Sequence, residues 1–200
     1  MKQHPILFST PMVSAILAGN KTMTRRIVKP QFNQHLNLCR DFIAEYSEGQ
    51  LVKCPYGKTG DVLWVRESFT ILEPEHCEGM SERFYYKAGH HESNEEWRLE
   101  EIENGYPYKW KPSIHMPKSA CRIWLEITNI RVERLQVISG KDILSEGIDN
   151  GKSNPSMGKR WEAMQLIAFM SLWSKINGPA SWNANPWIWV IEFKRIEKPE

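Results

Sequence analysis

Lys21-Thr22-Met23-Thr24-Arg25-Arg26 puts a primary amine, two hydroxyls and two guanidinium groups into one short run. Two kinds of chemistry fit it. The plain one is a polar strand face with solvated cations, the usual fate of a charge run. The sharper one is hydroxyl activation. A lysine acts as a base only if its pKa falls well below the ordinary ~10.4. Burial and nearby cations such as Arg25 and Arg26 push it that way. A neighbouring hydroxyl is then the nucleophile, and the Arg groups are placed to bind an anion or a carbonyl oxygen, with Thr22 and Arg26 as binding candidates. In an ideal strand Lys21 and Thr24 point to opposite faces. They meet only if the chain around Lys21 is still turning out of a preceding helix.

Two more residues join as binding candidates. His115 precedes Met116-Pro117 in an expected loop and is placed to face a pocket, although a structural His is the commoner case. Trp182 sits in a loop with Asn183 and Asn185, where an exposed indole would stack on a base; packing is the competing use of the ring. Metal chemistry is not expected. Cys39, Cys77, Cys54 and Cys121 are widely spread without a C-x-x-C pair, so they read as buried or idle thiols. His90-His91 reads as surface loop.

The elements that must position these residues follow from local patterns. Thr10 to Gly19 predicts a short helix, capped by Thr10 or Ser9, with Pro11 in its first turn and Met12, Val13, Ile16 and Leu17 on one stripe. Lys21 to Val28 predicts a strand entered through a loop. Val62 to Phe69 predicts another, after the Tyr56–Asp61 turn. Residues 121 to 127 alternate, with Cys121, Ile123, Leu125 and Ile127 on one face. A separate strand from Asn129 to Leu135 is expected after a tight turn. Ser139-Gly140-Lys141-Asp142 resembles a capping box, so a short helix is expected to about Glu146 with Gly147 as its stop. A long helix is expected over Lys159 to Asn177, with Trp161, Met164, Ala168, Leu172, Trp173 and Ile176 as its apolar face. Trp187 to Ile196 reads as a central strand.

Composition bounds the rest. The 200 residues carry 26 Lys and Arg against 24 Asp and Glu, a formal charge of +2. That excludes a polybasic protein but not a local nucleic-acid site. The charge is uneven: residues 70 to 112 hold ten Glu against five basic residues, while the remainder carries +7. The segment also holds Phe84, Tyr85, Tyr86, Trp97, Tyr106, Tyr108 and Trp110, which need something to pack on. It reads as an insertion with a strand near Phe84 to Lys87 and a helical piece near Asn94 to Glu103. Such an acidic insertion is expected to cover a pocket and repel extended polyanions. No apolar run approaches the ~20 residues of a membrane span. The N-terminus lacks a secretory pattern, so a cytoplasmic protein is expected.

Gly19-Asn20-Lys21-Thr22-Met23-Thr24-Arg25-Arg26 resembles the G-x-K-x-x-E-x-R signature of ASCH domains, which share the PUA-like β-barrel. Thr24 stands where many members have Glu. That departure is similar to a bacterial branch reading K-T-x-T-x-R, the N4-acetylcytidine amidohydrolases. Gly60-Asp61-Val62-Leu63-Trp64-Val65 and Val190-Ile191-Glu192-Phe193-Lys194 are similar to two strands of that branch. Pro55-Tyr56-Gly57, His115-Met116-Pro117 and Asn185-Pro186-Trp187 are similar to patterns in longer phage and prophage ASCH proteins. The inserted segment and the long helix have no counterpart in the compact amidohydrolases.

The resemblance implies an α+β fold: one PUA-like, ASCH-type β-barrel domain with peripheral helices and an inserted subdomain. It implies a catalytic set of Lys21, Thr24 and Glu146, with Glu146 matched by its place in the short helix. That Glu has a physical argument too, because the last turn of a helix disfavours negative charge and burial raises a carboxyl pKa. The implied activity is hydrolysis of an acyl group from an N4-acylcytidine-type nucleoside, with no cofactor and no metal. Thr24 attacks while Lys21 takes its proton, or Lys21 and Glu146 activate water while Thr24 only binds. The other class is a pocket that binds single-stranded RNA or a modified nucleoside without turnover; ribonuclease activity is a third. An exposed Lys21 far from Thr24 would exclude the enzyme.

Overall fold

The computed structural model describes residues 1–28, 36–38, 43–46, 51–72, 83–88, 109–148 and 158–199. The fold is α+β. Strand β1 (Gln3–Leu7) runs into helix α1 (Thr10–Leu17), which returns the chain as β2 (Met23–Ile27). Three short strands, β3 (Leu36–Leu38), β4 (Ile43–Tyr46) and β5 (Leu51–Lys53), form a small antiparallel sheet. Strand β6 (Val62–Arg66) precedes the hairpin of β7 (Phe69–Leu72) and β8 (Arg83–Tyr86). The long strand β9 (Trp124–Arg134), helices α2 (Gly140–Ser145) and α3 (Lys159–Asn177), and β10 (Trp187–Ile196) complete the order.

Five strands make the main sheet, in the order β1-β6-β9-β10-β2. The β1–β6 pair is parallel and the other pairs are antiparallel. Among the described residues β1 and β2 are its two edges, with no ladder between them, so the expected barrel is not seen closed. One side chain spans the gap: the Arg26 guanidinium on β2 donates to the Leu7 carbonyl on β1 at 2.6 Å.

β10 is interior and buried on both faces, which explains its continuous apolar run. Trp189, Ile191 and Phe193 join Leu63, Leu125 and Ile130 in a core that takes in Val13 and Ile16 of α1. Ile188 and Val190 face the opposite way, into a second core with Met23, Ile143 of α2, and Phe169 and Trp173 of α3. Each fully buried Ile or Leu here contributes about 1.5–3 kcal/mol by leaving water. The sheet therefore carries α1 on one face and α2 with α3 on the other.

Helix boundaries follow the local signals. Ser9 is the N-cap of α1, and Gly19 (φ +76°) lies just beyond its C-terminus. The α2 capping box is formed in both directions: Ser139 Oγ accepts from the Asp142 N–H at 3.2 Å, and Asp142 Oδ2 accepts from the Ser139 N–H at 3.3 Å. Helix α3 covers the expected range, but its buried stripe is Trp161, Gln165, Phe169 and Trp173. Spacing of four keeps these side chains over the sheet. Ile176, expected on that face, is 54% exposed.

Two strand expectations are corrected. Residues 124 to 134 form one strand, not two joined by a turn; the register slips opposite Glu192 and Phe193 and leaves Thr128 unpaired. A bulge moves Ile127 and Ile130 onto the same buried face despite their odd spacing, which mimics the pattern of a turn. The strand expected over 62 to 69 breaks after Arg66. There the buried Glu67 receives two bonds from Arg122, Nε to Oε1 and Nη2 to Oε2, both 2.9 Å. Within the acidic segment, β8 corresponds to the strand expected near Phe84 to Lys87. The helical piece near Asn94 to Glu103 and the His90-His91 pair lie outside the described residues. No helix among the described residues is long and apolar enough to cross a membrane.

Candidate functional site

The chain leaves α1 through a tight reversal in which the N–H groups of Asn20 and Lys21 both donate to the Ala15 carbonyl, at 2.9 and 3.1 Å. Lys21 thus precedes β2 and is still in the turn, the one condition under which its side chain can share a site with Thr24. The Thr22 N–H donates to the Ser145 carbonyl at 2.8 Å, and Lys21 and Glu146 form an isolated antiparallel bridge. Gly147 makes the approach possible. Its φ is +79°, and a Cβ there would lie 2.9 Å from the Lys21 Cβ and 2.8 Å from that of Ala15.

Lys21 is 2% exposed. Its ammonium uses all three donors: Met23 O at 2.7 Å, Glu146 O at 2.9 Å and Glu146 Oε2 at 2.7 Å. Burial is the main influence on its pKa and lowers it from 10.5; Glu146 opposes this, and Arg26 and Arg25 add to it. Among the described residues no bond joins Lys21 to Thr24. Thr24 is 2% exposed and lies opposite Ile191 on β10.

Arg25 was not singled out by its own pattern, yet it organises the carboxylates. Nη1 donates to Glu146 Oε1 at 3.1 Å, and Nη2 lies 3.0 Å from Glu133 Oε1 and 3.1 Å from Asp142 Oδ2. Arg131 extends the cluster through Glu133 (3.1 Å), Asp142 (3.5 Å) and Glu192. The Lys21–Glu146 pair is thus the innermost part of an ion network drawn from β2, β9, β10 and α2. Partners so far apart in sequence are invisible to local spacing; the only available signal was two successive Arg on a strand.

A cavity of ≈ 80 Å³ opens beside the pair, lined by Thr24, Arg25, Arg26 and Glu146 and, from α3, by residues including Leu172 and Trp173. Sequence reasoning had α3 only as packing. Arg26 is half-buried, with its guanidinium over the Phe8 ring at 5.2 Å, and burial lowers its pKa. The other binding candidates are elsewhere. Thr22 is exposed and contributes backbone bonds, its carbonyl accepting from the Phe193 N–H at 2.9 Å. His115 is exposed at the end of a 3-10 turn over Ser113–His115 and does not line the cavity. Trp182 is half-buried and packs edge-on against Phe169 at the margin of the second core, ring centroids 6.1 Å apart at 71°. Its ring is used because the 178–186 loop folds back under α3.

The site therefore brings together Lys21, Thr24, Arg26 and Glu146, and not Thr22, His115 or Trp182. An amine in contact with a carboxylate, beside a hydroxyl and cationic donors, can move a proton and polarise a carbonyl. Among the described residues no group of three or more His, Cys, Asp or Glu side chains is placed to hold a metal ion. Burial raises the Cys54 thiol to about 11, which makes it a poor nucleophile or ligand. Comparison with family models, curated proteins and solved structures found no match to the chain.

Proposed function

We infer that the chain is an amidohydrolase that removes an acyl group from an N4-acylcytidine-type nucleoside. The observation that supports this most is the buried Lys21–Glu146 contact of 2.7 Å, whose Glu146 lines a cavity together with Thr24. Burial lowers the Lys21 pKa, so its ammonium in this ion pair gives up a proton more readily than a free lysine does. Passing the proton from Nζ to Oε2 yields a free amine and a carboxylic acid in one step. The amine is then the base and the acid is the proton donor.

In the reaction, the Thr24 oxygen attacks the acyl carbonyl as its proton passes to Lys21. Arg26 or main-chain N–H groups stabilise the oxyanion. The C–N bond breaks as Glu146 protonates the leaving cytidine amine. Water then attacks the acyl-Thr24 ester, giving a proton to the Glu146 carboxylate while the Lys21 ammonium returns one to the Thr24 oxygen, and the carboxylic acid leaves. The absence of a Lys21–Thr24 bond favours a second version of the same chemistry. In it the Lys21–Glu146 pair activates water directly and Thr24 only holds the substrate. Trapping an acyl-Thr24 adduct separates the two.

An ASCH-type, PUA-like barrel is part of this proposal. The Arg26 bond to the Leu7 carbonyl supports a sheet curled until its edges approach. A cavity of ≈ 80 Å³ is too small for a base, so a nucleoside, free or within single-stranded RNA, would keep its base at the mouth. The deciding test is incubation of the purified protein with N4-acetylcytidine and chromatography for cytidine, beside Lys21→Ala, Thr24→Ala and Glu146→Ala. Cytidine release by the unmutated protein alone is expected. No release by any protein rejects the hydrolase; equal release by all four rejects the residue assignment.

A further inference from the structure

The cavity beside Thr24 has two unlike walls. β2 and Glu146 supply a polar one. α3 supplies the other, through Phe169, Leu172, Trp173 and Ile176. Three residues of the lining carry a buried N–H with no partner among the described residues: Arg25 Nε, Arg26 Nε and Trp173 Nε1. Buried donors are ordinarily satisfied, so three carried by the residues around one small space point to a ligand that brings acceptor oxygen. The space itself is ≈ 80 Å³, against the ~300–1,000 Å³ of pockets for drug-sized ligands. It has room for a few heavy atoms. A short acyl group matches on both counts, with a carbonyl oxygen for the donors and an alkyl end for the apolar side chains.

We propose that this cavity is the acyl subsite, that Trp173 donates its indole N–H to the acyl oxygen, and that α3 restricts the substrate to short acyl groups. The proposal rests on the hydrolase reading and adds a wall that the Lys21–Thr24 motif does not contain. The nucleoside remains at the mouth of the cavity. Chain length is therefore set by α3, and Leu172 is the side chain whose removal lengthens the space.

The test uses N4-acetyl-, N4-butyryl- and N4-benzoylcytidine with the unmutated protein, Leu172→Ala, Trp173→Phe and Trp161→Phe. The unmutated protein should favour acetyl over benzoyl in kcat/KM by about tenfold or more. Leu172→Ala should move the acetyl-to-butyryl ratio about tenfold toward butyryl. Trp173→Phe should raise KM for the acetyl substrate by roughly three- to tenfold. Trp161 lies on the same helix, outside the cavity, with a buried N–H that also has no partner among the described residues, so Trp161→Phe controls for lost ring volume and should leave KM unchanged. Equal rates for all three acyl groups, or equal KM effects of the two Trp changes, overturn the proposal. If no acylcytidine is turned over, the hydrolase reading fails and the subsite is tested by binding. Acetate and butyrate are titrated into protein carrying isotope-labelled tryptophan, with the Trp173 indole signal assigned by its loss in Trp173→Phe. A shift with acetate and little with butyrate supports the subsite; no shift with acetate overturns it.

Discussion

Glu146→Gln changes charge while nearly preserving shape, so its cost measures the buried ion pair. In the variant the Lys21 ammonium keeps the carbonyl oxygens of Met23 at 2.7 Å and residue 146 at 2.9 Å. Its third bond, now 2.7 Å to a carboxylate oxygen, becomes a bond to a neutral amide. Arg25 loses a charged partner at 3.1 Å but keeps Glu133 and Asp142. The side chains of Lys21 and Glu146 are 1% and 8% exposed, so solvent screens the loss little. Removing one member of a buried pair costs about 3–5 kcal/mol. The surviving partners put this case at the low end, about 3 kcal/mol. At ~2–4 °C per kcal/mol for a chain of this size, Tm falls by about 6–12 °C. Lys21→Met costs less, because Glu146 retains Arg25. The double variant should cost less than the sum by at least about 1 kcal/mol, since neither change then strands a charge. Urea denaturation of the four proteins near neutral pH, followed by fluorescence and circular dichroism together, gives the cycle. A Glu146→Gln cost under ~1 kcal/mol, or simple additivity, refutes a tightly coupled buried pair.

Gly147→Ala places a Cβ 2.8 Å from Ala15 and 2.9 Å from Lys21 on a left-handed backbone, so a loss of at least about 2 kcal/mol is expected; an unchanged urea midpoint contradicts the close approach. Burial, with help from Arg26 and Arg25, holds the Lys21 pKa below 10.5 against the pull of Glu146. The unfolded chain therefore binds the extra proton in that window, and stability should rise as pH climbs from the lowered value toward 10.5. Lys21→Met should remove that rise in urea midpoints measured across the alkaline range. Burial raises the Asp61 pKa, but the N–H groups of Lys2 and Lys58, with His4, outweigh it and hold the carboxyl below 3.8. That stability is present above 3.8 and is lost as pH falls through the lower folded value. Asp61→Asn should cost about 1–2 kcal/mol near neutral pH and flatten the acid limb of a dichroism titration.

Legibility in the sequence tracked the range of the forces involved. The helix ends were readable because their signals are adjacent residues: Ser139 with Asp142, Gly19, Gly147, and Gly178 before Pro179. The interior place of 187–196 followed from its apolar run, whereas the α+β class came with the family resemblance. The Lys21 turn was readable as a condition, and the bond to the Ala15 carbonyl meets it. What was hidden depends on partners far away. The bulge at Thr128 exists only relative to β10. Gln165 is buried because α3 rotates that face toward the sheet, and nothing in its own type says so. Arg25 became central through Glu133 and Asp142, and Trp182 was taken by Phe169 before any base could use it. The closed barrel expected from the resemblance is not seen among the described residues.

The strand order also has a consequence in time. β2, which carries Thr24, Arg25 and Arg26, pairs in the main sheet with β10 alone among the described residues. A ribosome moving at ~5–20 residues per second takes on the order of 10–30 s to travel from one strand to the other. During that interval β1, β6 and β9 can already associate, but β2 has no ladder to join. Lys21 meanwhile waits for Glu146, 125 positions downstream. The candidate site is therefore unassembled for most of synthesis, and its completion coincides with insertion of β10. Nicking or frameshifting before residue 187 would leave a partly folded scaffold in which β2 lacks its β10 partner.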